Sequence, residues 1–312
     1  MPEKPEKQKP FDFFSALISE GRQIYAILDA AADSGIPKKL WWLDADYVSL
    51  YKGEPEEKYF DIAPYLVNIS INGENHAKLR EWIFEKCWGG GRAVFFEANA
   101  DMNTLLKHFQ KFTIVLDESG KGMFFRFYDP RVLRVYLPTC NKEESRYIYG
   151  YDIIKAFFVE SGEGDRVLSF LPKQGYFVGD DVHAPRILVI RKAQMAAFKK
   201  EMLNKFCSEL KRHFRRRFPN YISGMTGTQL NDFLFEGLEY AKNCGIDDQN
   251  DVKRFFEYFV RYGHDFGKTS DTVWANSILN NNELSGNMKM NQIDDYDLFV
   301  VESGKGNHNV TM

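Results

Sequence analysis

The sequence predicts an α/β N-terminal lobe with a mixed β-sheet, followed by an all-α helical lobe. Three observations carry this expectation. Before residue 146, β-branched and aromatic runs alternate with helical periodicities, the pattern of strands layered with helices. From 146 to 190, short apolar runs alternate with glycine and proline, as extra strands extending that domain would. After Arg191, apolar residues recur every three or four positions behind repeated capping residues.

The charged, proline-rich stretch 1–10 reads as a disordered lead-in. Phe11–Glu20 suits a short helix, Gln23–Leu28 a strand entering the Asp29-Ala30-Ala31 turn, and Ile62–Ile69 a strand whose Pro64 marks an edge or a strand start. Leu79, Trp82, Ile83 and Lys86 share one side of a helix over Glu74–Lys86. Arg92–Glu97 is strand-like, and Asp101 caps a helix to Gln110. Phe112–Asp117 and Met123–Tyr128 read as a hairpin across Glu118-Ser119-Gly120-Lys121-Gly122. In its second strand Met123, Phe125 and Phe127 share an apolar face, with Phe124, Arg126 and Tyr128 opposite. Pro130 cannot donate to a ladder but suits the first position of a helix, and Asp129 is placed to cap it. Val132, Leu133, Tyr136 and Leu137 continue that helix until Pro138 ends it.

Between 146 and 190 the apolar runs are Tyr147–Tyr151, Ala156–Val159, Val167–Leu171, Tyr176–Val178 and Ile187–Ile190. Met195, Phe198, Met202, Phe206, Leu210 and Phe214 then define a long amphipathic helix. Thr228, Asp248 and Asp271 are placed to cap three more, with Gly245 and Gly263 closing the first two of these. The expected domains are 1–10 (lead-in), 11–190 (α/β), 191–284 (helical) and 285–312 (a flexible polar tail holding Leu298-Phe299-Val300-Val301).

Aromatic residues make up 15% of the 312, including 27 Phe, enough for thick cores and for partner surfaces where rings give area with few rotors to freeze. Net charge is −3, which argues for no polyanion as a global partner. Cys87, Cys140, Cys207 and Cys244 are scattered, without zinc or disulfide spacing. No apolar leader and no 18-residue apolar run appear, so the expectation is a cytoplasmic protein with no membrane partner.

Few motifs suggest chemistry. Asp44-Ala45-Asp46 is a pair of carboxylates that can share a hard cation, as in metal-dependent nucleotide-sugar transferases, or simply two exposed loop acids. Trp88-Gly89-Gly90-Gly91-Arg92 precedes a strand, so it reads as a helix-to-strand connection and not a phosphate loop. His264-Asp265 has no nucleophile motif beside it, and Gly-x-Ser-x-Gly is absent.

Two cationic groups stand out. Residues 191–217 hold ten Lys and Arg against Glu201 and Glu209, a net +8 that leaves −11 on the rest of the chain. Lys211, Arg212, Arg215 and Arg216 form its candidate partner-binding face, for an acidic protein surface or, alternatively, nucleic acid; the bland alternative is a solvated helix face. The second group is Arg126, Arg131 and Arg134, with Tyr128, Asp129 and Pro130. Arg126 sits on a strand expected to be central, where it needs an anion if buried, and Asp29 at the end of the first strand is the candidate. This group serves structure or a direct partner contact.

Tyr25-Ala26-Ile27-Leu28-Asp29-Ala30, Leu50-Tyr51-Lys52-Gly53, Ala63-Pro64-Tyr65-Leu66-Val67, Trp88-Gly89 and Phe125–Leu133 follow one another between residues 23 and 137. In this order they resemble the effector chaperone (adaptor) family of bacterial type VI secretion systems, encoded beside spike proteins and effectors. The helical half is similar, more loosely, to the C-terminal half of that family. The resemblance implies a non-enzymatic protein, without cofactor, that binds a cognate effector toxin and helps load it onto the spike-tip protein. The rivals are a metal-dependent nucleotide-sugar transferase using Asp44 and Asp46, and a nucleic-acid-binding protein using the basic helix 191–217.

Overall fold

The computed structural model describes residues 9–51, 56–172 and 187–302. They form two compact units, divided between Lys199 and Lys200.

The first unit is α/β. Its elements run α1 (Pro10–Ser19), β1 (Ile24–Asp29), α2 (Ile36–Trp42), β2 (Tyr47–Ser49), α3 (Glu56–Tyr59), β3 (Pro64–Asn68), α4 (Glu74–Lys86), β4 (Ala93–Ala98) and α5 (Met102–Phe109). A 3-10 turn (Gln110–Phe112) leads into β5 (Ile114–Asp117), β6 (Gly122–Phe124), α6 (Pro130–Thr139), α7 (Lys142–Ile148), β7 (Ile154–Glu160), β8 (Val167–Phe170) and β9 (Val189–Ile190). The main sheet has the order β2-β3-β1-β4-β7-β8 with every pair antiparallel. A second sheet, β6-β5-β9, mixes an antiparallel and a parallel pair.

The main sheet is buried on both faces, and strand alternation sorts its side chains into two cores. Ala26, Leu28, Val67, Phe95 and Phe158 pack with Phe14 of α1, Ile36 and Leu40 of α2, and Leu79 and Ile83 of α4. Tyr25, Ile27, Leu66, Phe96 and Phe157 pack with α5, α6, α7 and the inner face of the small sheet, through Phe109, Leu133, Tyr147 and Val115. This two-sided burial is why β1 reads as an unbroken apolar run.

The second unit is helical. It holds the end of α8 (Lys192–Arg217), then α9 (Pro219–Ile222), α10 (Gly227–Asn243), α11 (Gln249–Tyr262), α12 (Val273–Leu279) and α13 (Gly286–Glu302). Phe206, Leu210, Phe214, Phe233, Phe255, Phe256 and Phe259 dominate its core. Gly237 lets α10 approach α11: a Cβ there would lie 2.3 Å from the Phe256 ring.

Several expectations need correction. The strand expected over Met123–Tyr128 ends at Phe124, and Arg126 lies in the following turn beside the small sheet, not on a central strand. Phe127 donates its N–H to Phe125, a tight turn that stops the ladder before Asp129 begins the next helix. Of the two readings for Pro64, the strand start holds, since it opens β3, and the edge does not, since β3 lies between β2 and β1. Tyr147–Tyr151 finishes α7 and its turn, because Asn141 and Glu144 form a reciprocal cap that starts a helix there. Tyr176–Val178 lies outside the described residues. Thr226, not Thr228, caps α10, since Gln229 sits three residues on and completes the capping box. Thr272, not Asp271, precedes α12, without a side-chain cap. Met202 is exposed, outside the apolar stripe of α8. The boundary between units falls within α8, between Lys199 and Lys200.

The largest departure is the tail. Gly286–Glu302 is helical, with Met290 and Ile293 in the core. Polar contacts that hydropathy does not register also hold it. Lys289 is buried and donates to the Cys244 and Leu279 carbonyls at 2.7 and 2.9 Å, at the ends of α10 and α12. Asp294 accepts from Arg254 and Tyr258, and Asp297 from Arg261 and Tyr262. Among the described residues no helix is long and apolar enough to cross a membrane.

Candidate functional site

Asp29 closes β1 and is wholly buried. Its N–H is taken by the Arg92 carbonyl at 2.9 Å, which fixes the strand end. One carboxylate oxygen accepts the Ala31 N–H at 3.1 Å, and the other pairs with the Arg126 guanidinium. Phe125 and Phe127 point into the core on either side of Arg126, so the residue between them must face outward. The Arg126 side chain is 43% exposed and lies over the Tyr128 ring, 5.8 Å from its centroid. Tyr128 is buried and pairs with Tyr51; burial first, then that hydrogen bond, pushes its phenol far above the ordinary value.

Next along the chain, Asp129 does two jobs. It caps α6 by accepting the Arg131 N–H at 2.9 Å, and it grips the Arg131 guanidinium through Nε and Nη2 at 2.8 and 2.6 Å. Pro130 occupies the first turn, where its missing N–H costs nothing. The Arg131 side chain is 45% exposed and passes Gly91, where a Cβ would approach its Nε to 3.4 Å. Gly91 has φ +69°, so glycine serves both the backbone and the arginine.

The Gly89-Gly90-Gly91 connection has a role its sequence reading lacks. The N–H groups of Gly89 and Gly91 both point at the carboxylate of Glu160, a buried residue ending β7, the latter at 2.9 Å. Arg134 donates to the Glu160 carbonyl at 3.2 Å. Burial raises the carboxyl groups of both Asp29 and Glu160 above their ordinary values, against the attraction of Arg126 on the first and the glycine N–H bonds on the second. Three buried carboxylates thus face three guanidiniums, and Asp129 also raises its two acidic neighbours.

Asp29, Arg126, Tyr128, Asp129, Pro130, Arg131 and Arg134 therefore come together, and Tyr51, Gly89, Gly91 and Glu160 join them. Only a single acid after the apolar run Ala156–Val159 marked Glu160 in the sequence. The basic-face residues belong to the second unit, on α8, where Lys211 is half-buried and Arg212, Arg215 and Arg216 are exposed. Asp44 and Asp46 are exposed, and Asp44 has a left-handed backbone, φ +49°. Among the described residues no three His, Cys, Asp or Glu side chains converge as metal ligands would. His264 is exposed and meets Glu236 at 3.0 Å.

Chemically, the buried acids orient Arg126 and Arg131 while nearly half of each side chain stays in solvent. A guanidinium has five donors, and neither arginine spends them all on its carboxylate. Such a pair can take a carboxylate or phosphate from outside with little side-chain entropy left to lose.

The model of a family described as a domain of unknown function (DUF4123) matches residues 24–147, from β1 to α7. No curated protein and no solved structure matches the chain. The matched span contains the Asp29–Arg126 and Asp129–Arg131 pairs and the glycine connection, and it stops before Glu160.

Proposed function

We propose that this chain is a non-enzymatic adaptor that binds a cognate effector toxin of a type VI secretion system and helps load it onto the spike. The observation that carries the reading is the pair of half-exposed guanidiniums, Arg126 and Arg131, each fixed by a buried carboxylate inside the DUF4123 span. The ordered resemblance between residues 23 and 137 covers those same residues. Burying carboxylates to hold cations at a surface costs stability that packing alone would not require. A partner that supplies an anion to the cations recovers part of that cost.

The test is affinity capture from the source bacterium with the full chain as bait, alongside an Arg126→Lys/Arg131→Lys variant. Lysine keeps a cation beside Asp29 and Asp129 but lacks the fork geometry. The expected result is recovery of a large toxin and a spike protein by the wild type, and much less toxin by a variant with an unchanged melting midpoint. Recovery of neither by the wild type would overturn the adaptor reading.

A further inference from the structure

The small sheet β6-β5-β9 presents its inner face to the core through Val115 and Met123. Its outer face is apolar as well. Ile114 and Phe124 stand opposite each other in the ladder and are 57% and 75% exposed, and Val189 is exposed on β9. Among the described residues β6 is also the last strand on its side.

The register says where the backbone of β6 points. Phe125 donates to the Thr113 carbonyl at 3.2 Å and Asp117 to the Lys121 carbonyl at 3.0 Å. Bonded pairs in an antiparallel ladder recur every second residue, so Val115–Met123 is the bonded pair between those two. Gly122 and Phe124 therefore turn their N–H and C=O groups away from β5, toward the open edge. That edge carries no proline, no bulge and no charge within the strand, the usual devices that block pairing.

The charges at the two ends of β6 itself are cationic, while the hairpin's acids lie across from it: Asp117 is tied into the turn by the Lys121 N–H at 2.9 Å and Glu118 lies 4.0 Å from Lys192. Lys121 precedes it, Arg126 follows it, and no acid occurs between Lys121 and Tyr128. Lys111, just before β5, is exposed. We infer that the open edge of β6 accepts an extended segment of a partner protein, with alternating apolar side chains and flanking Asp or Glu residues. The segment would pair with Gly122 and Phe124, rest its apolar side chains on Phe124 and Ile114, and place its acids against Lys121 and Arg126. This deepens the adaptor reading and rests on it for the existence of a partner.

The test uses the full chain and two synthetic peptides of alternating valine and threonine, one flanked by glutamates and one by lysines. Binding is followed by fluorescence anisotropy, and amide exchange at Gly122 and Phe124 by mass spectrometry. The glutamate peptide should bind about tenfold more tightly than the lysine peptide and slow exchange at those two amides. Phe124→Ala should weaken binding about tenfold, and Gly122→Pro should remove it, since proline suits an edge strand but deletes an outward N–H. Should Gly122→Pro fail to fold, Phe124→Ala and the exchange data decide alone. The inference is overturned by no binding up to about 1 mM peptide, by binding without protection of β6, or by full-strength binding to Phe124→Ala. Protection that rises with protein concentration alone would assign the edge to a second copy of the chain and overturn it too. A chain that captures its toxin yet shows none of these effects keeps the adaptor reading and loses the β6 one.

Discussion

At Asp29 and Arg126 the energetics run against stability and toward placement. Burial leaves Asp29 harder to ionise than a free carboxyl even with Arg126 beside it. Arg126→Ala should cost about 2 kcal/mol, less than the roughly 3–5 of a fully buried pair, because the guanidinium is 43% exposed and screened. The pH dependence has a definite sign. Without Arg126 the Asp29 carboxyl rises further, so the folded state holds its proton more tightly than the unfolded chain does. The deficit is then small at low pH and grows as pH rises through that folded value. Denaturation midpoints of both chains should diverge as pH rises above the ordinary carboxylate range; parallel midpoints would remove Asp29 from the account. His108 gives an independent case. It is buried, donates through Nε2 to the Ile148 carbonyl at 2.9 Å, and burial lowers it from 6.5 to about 4. A depressed value means its contribution is complete above pH 6.5 and is lost as pH falls toward 4, about 3 kcal/mol over that window. An NMR titration should show a neutral His108 ring at pH 5.5, and a protonated one would contradict it.

The elements were legible where local chemistry decides them. Asp101 and Asp129 cap helices as residue types and spacing dictate, and Glu74–Lys86 is a helix from its first predicted residue to its last. The Asp29–Arg126 pair is present although its premise, a central strand under Arg126, is not: Arg126 lies past the end of β6 and still meets the strand-end acid. Two features were not legible. The hairpin's second strand stops early because a turn at Phe125–Phe127 competes with the ladder while keeping the same in-out alternation. Helix α13 looked like a tail because its docking depends on Lys289, Asp294 and Asp297, which count as solvated in any hydropathy reading. Lys289→Met should therefore cost about 3 kcal/mol, as two helix-end carbonyls lose a charged donor. Chemical denaturation checks it, and a cost under about 0.5 kcal/mol would mean that Met290 and Ile293 hold the helix alone.

Across the molecule, the site splits along the same line. Asp29, Asp129 and Arg131 could be assembled from the sequence, but Glu160 and the glycines that hold it could not, since their partnership spans about seventy residues with no local signature. The basic end of α8 supplies a second cationic surface, in the other unit. If it also draws in an acidic partner, changing Arg212, Arg215 and Arg216 to Glu should weaken toxin binding while stability moves by less than about 1 kcal/mol. Wild-type binding should then fall as ionic strength rises past about 0.15 M, where the screening length is roughly 8 Å. Equal binding by the reversal variant would leave α8 as a solvated face. The proposed adaptor role turns on Arg126 and Arg131, and titration calorimetry of the captured, purified toxin against the wild type and the Arg126→Lys/Arg131→Lys variant probes them without other changes. A dissociation constant at least about tenfold weaker for the variant, with melting unchanged, is expected of forked donors that grip a partner anion. Equal constants for the two chains would mean that the toxin binds elsewhere and that these arginines serve only the fold.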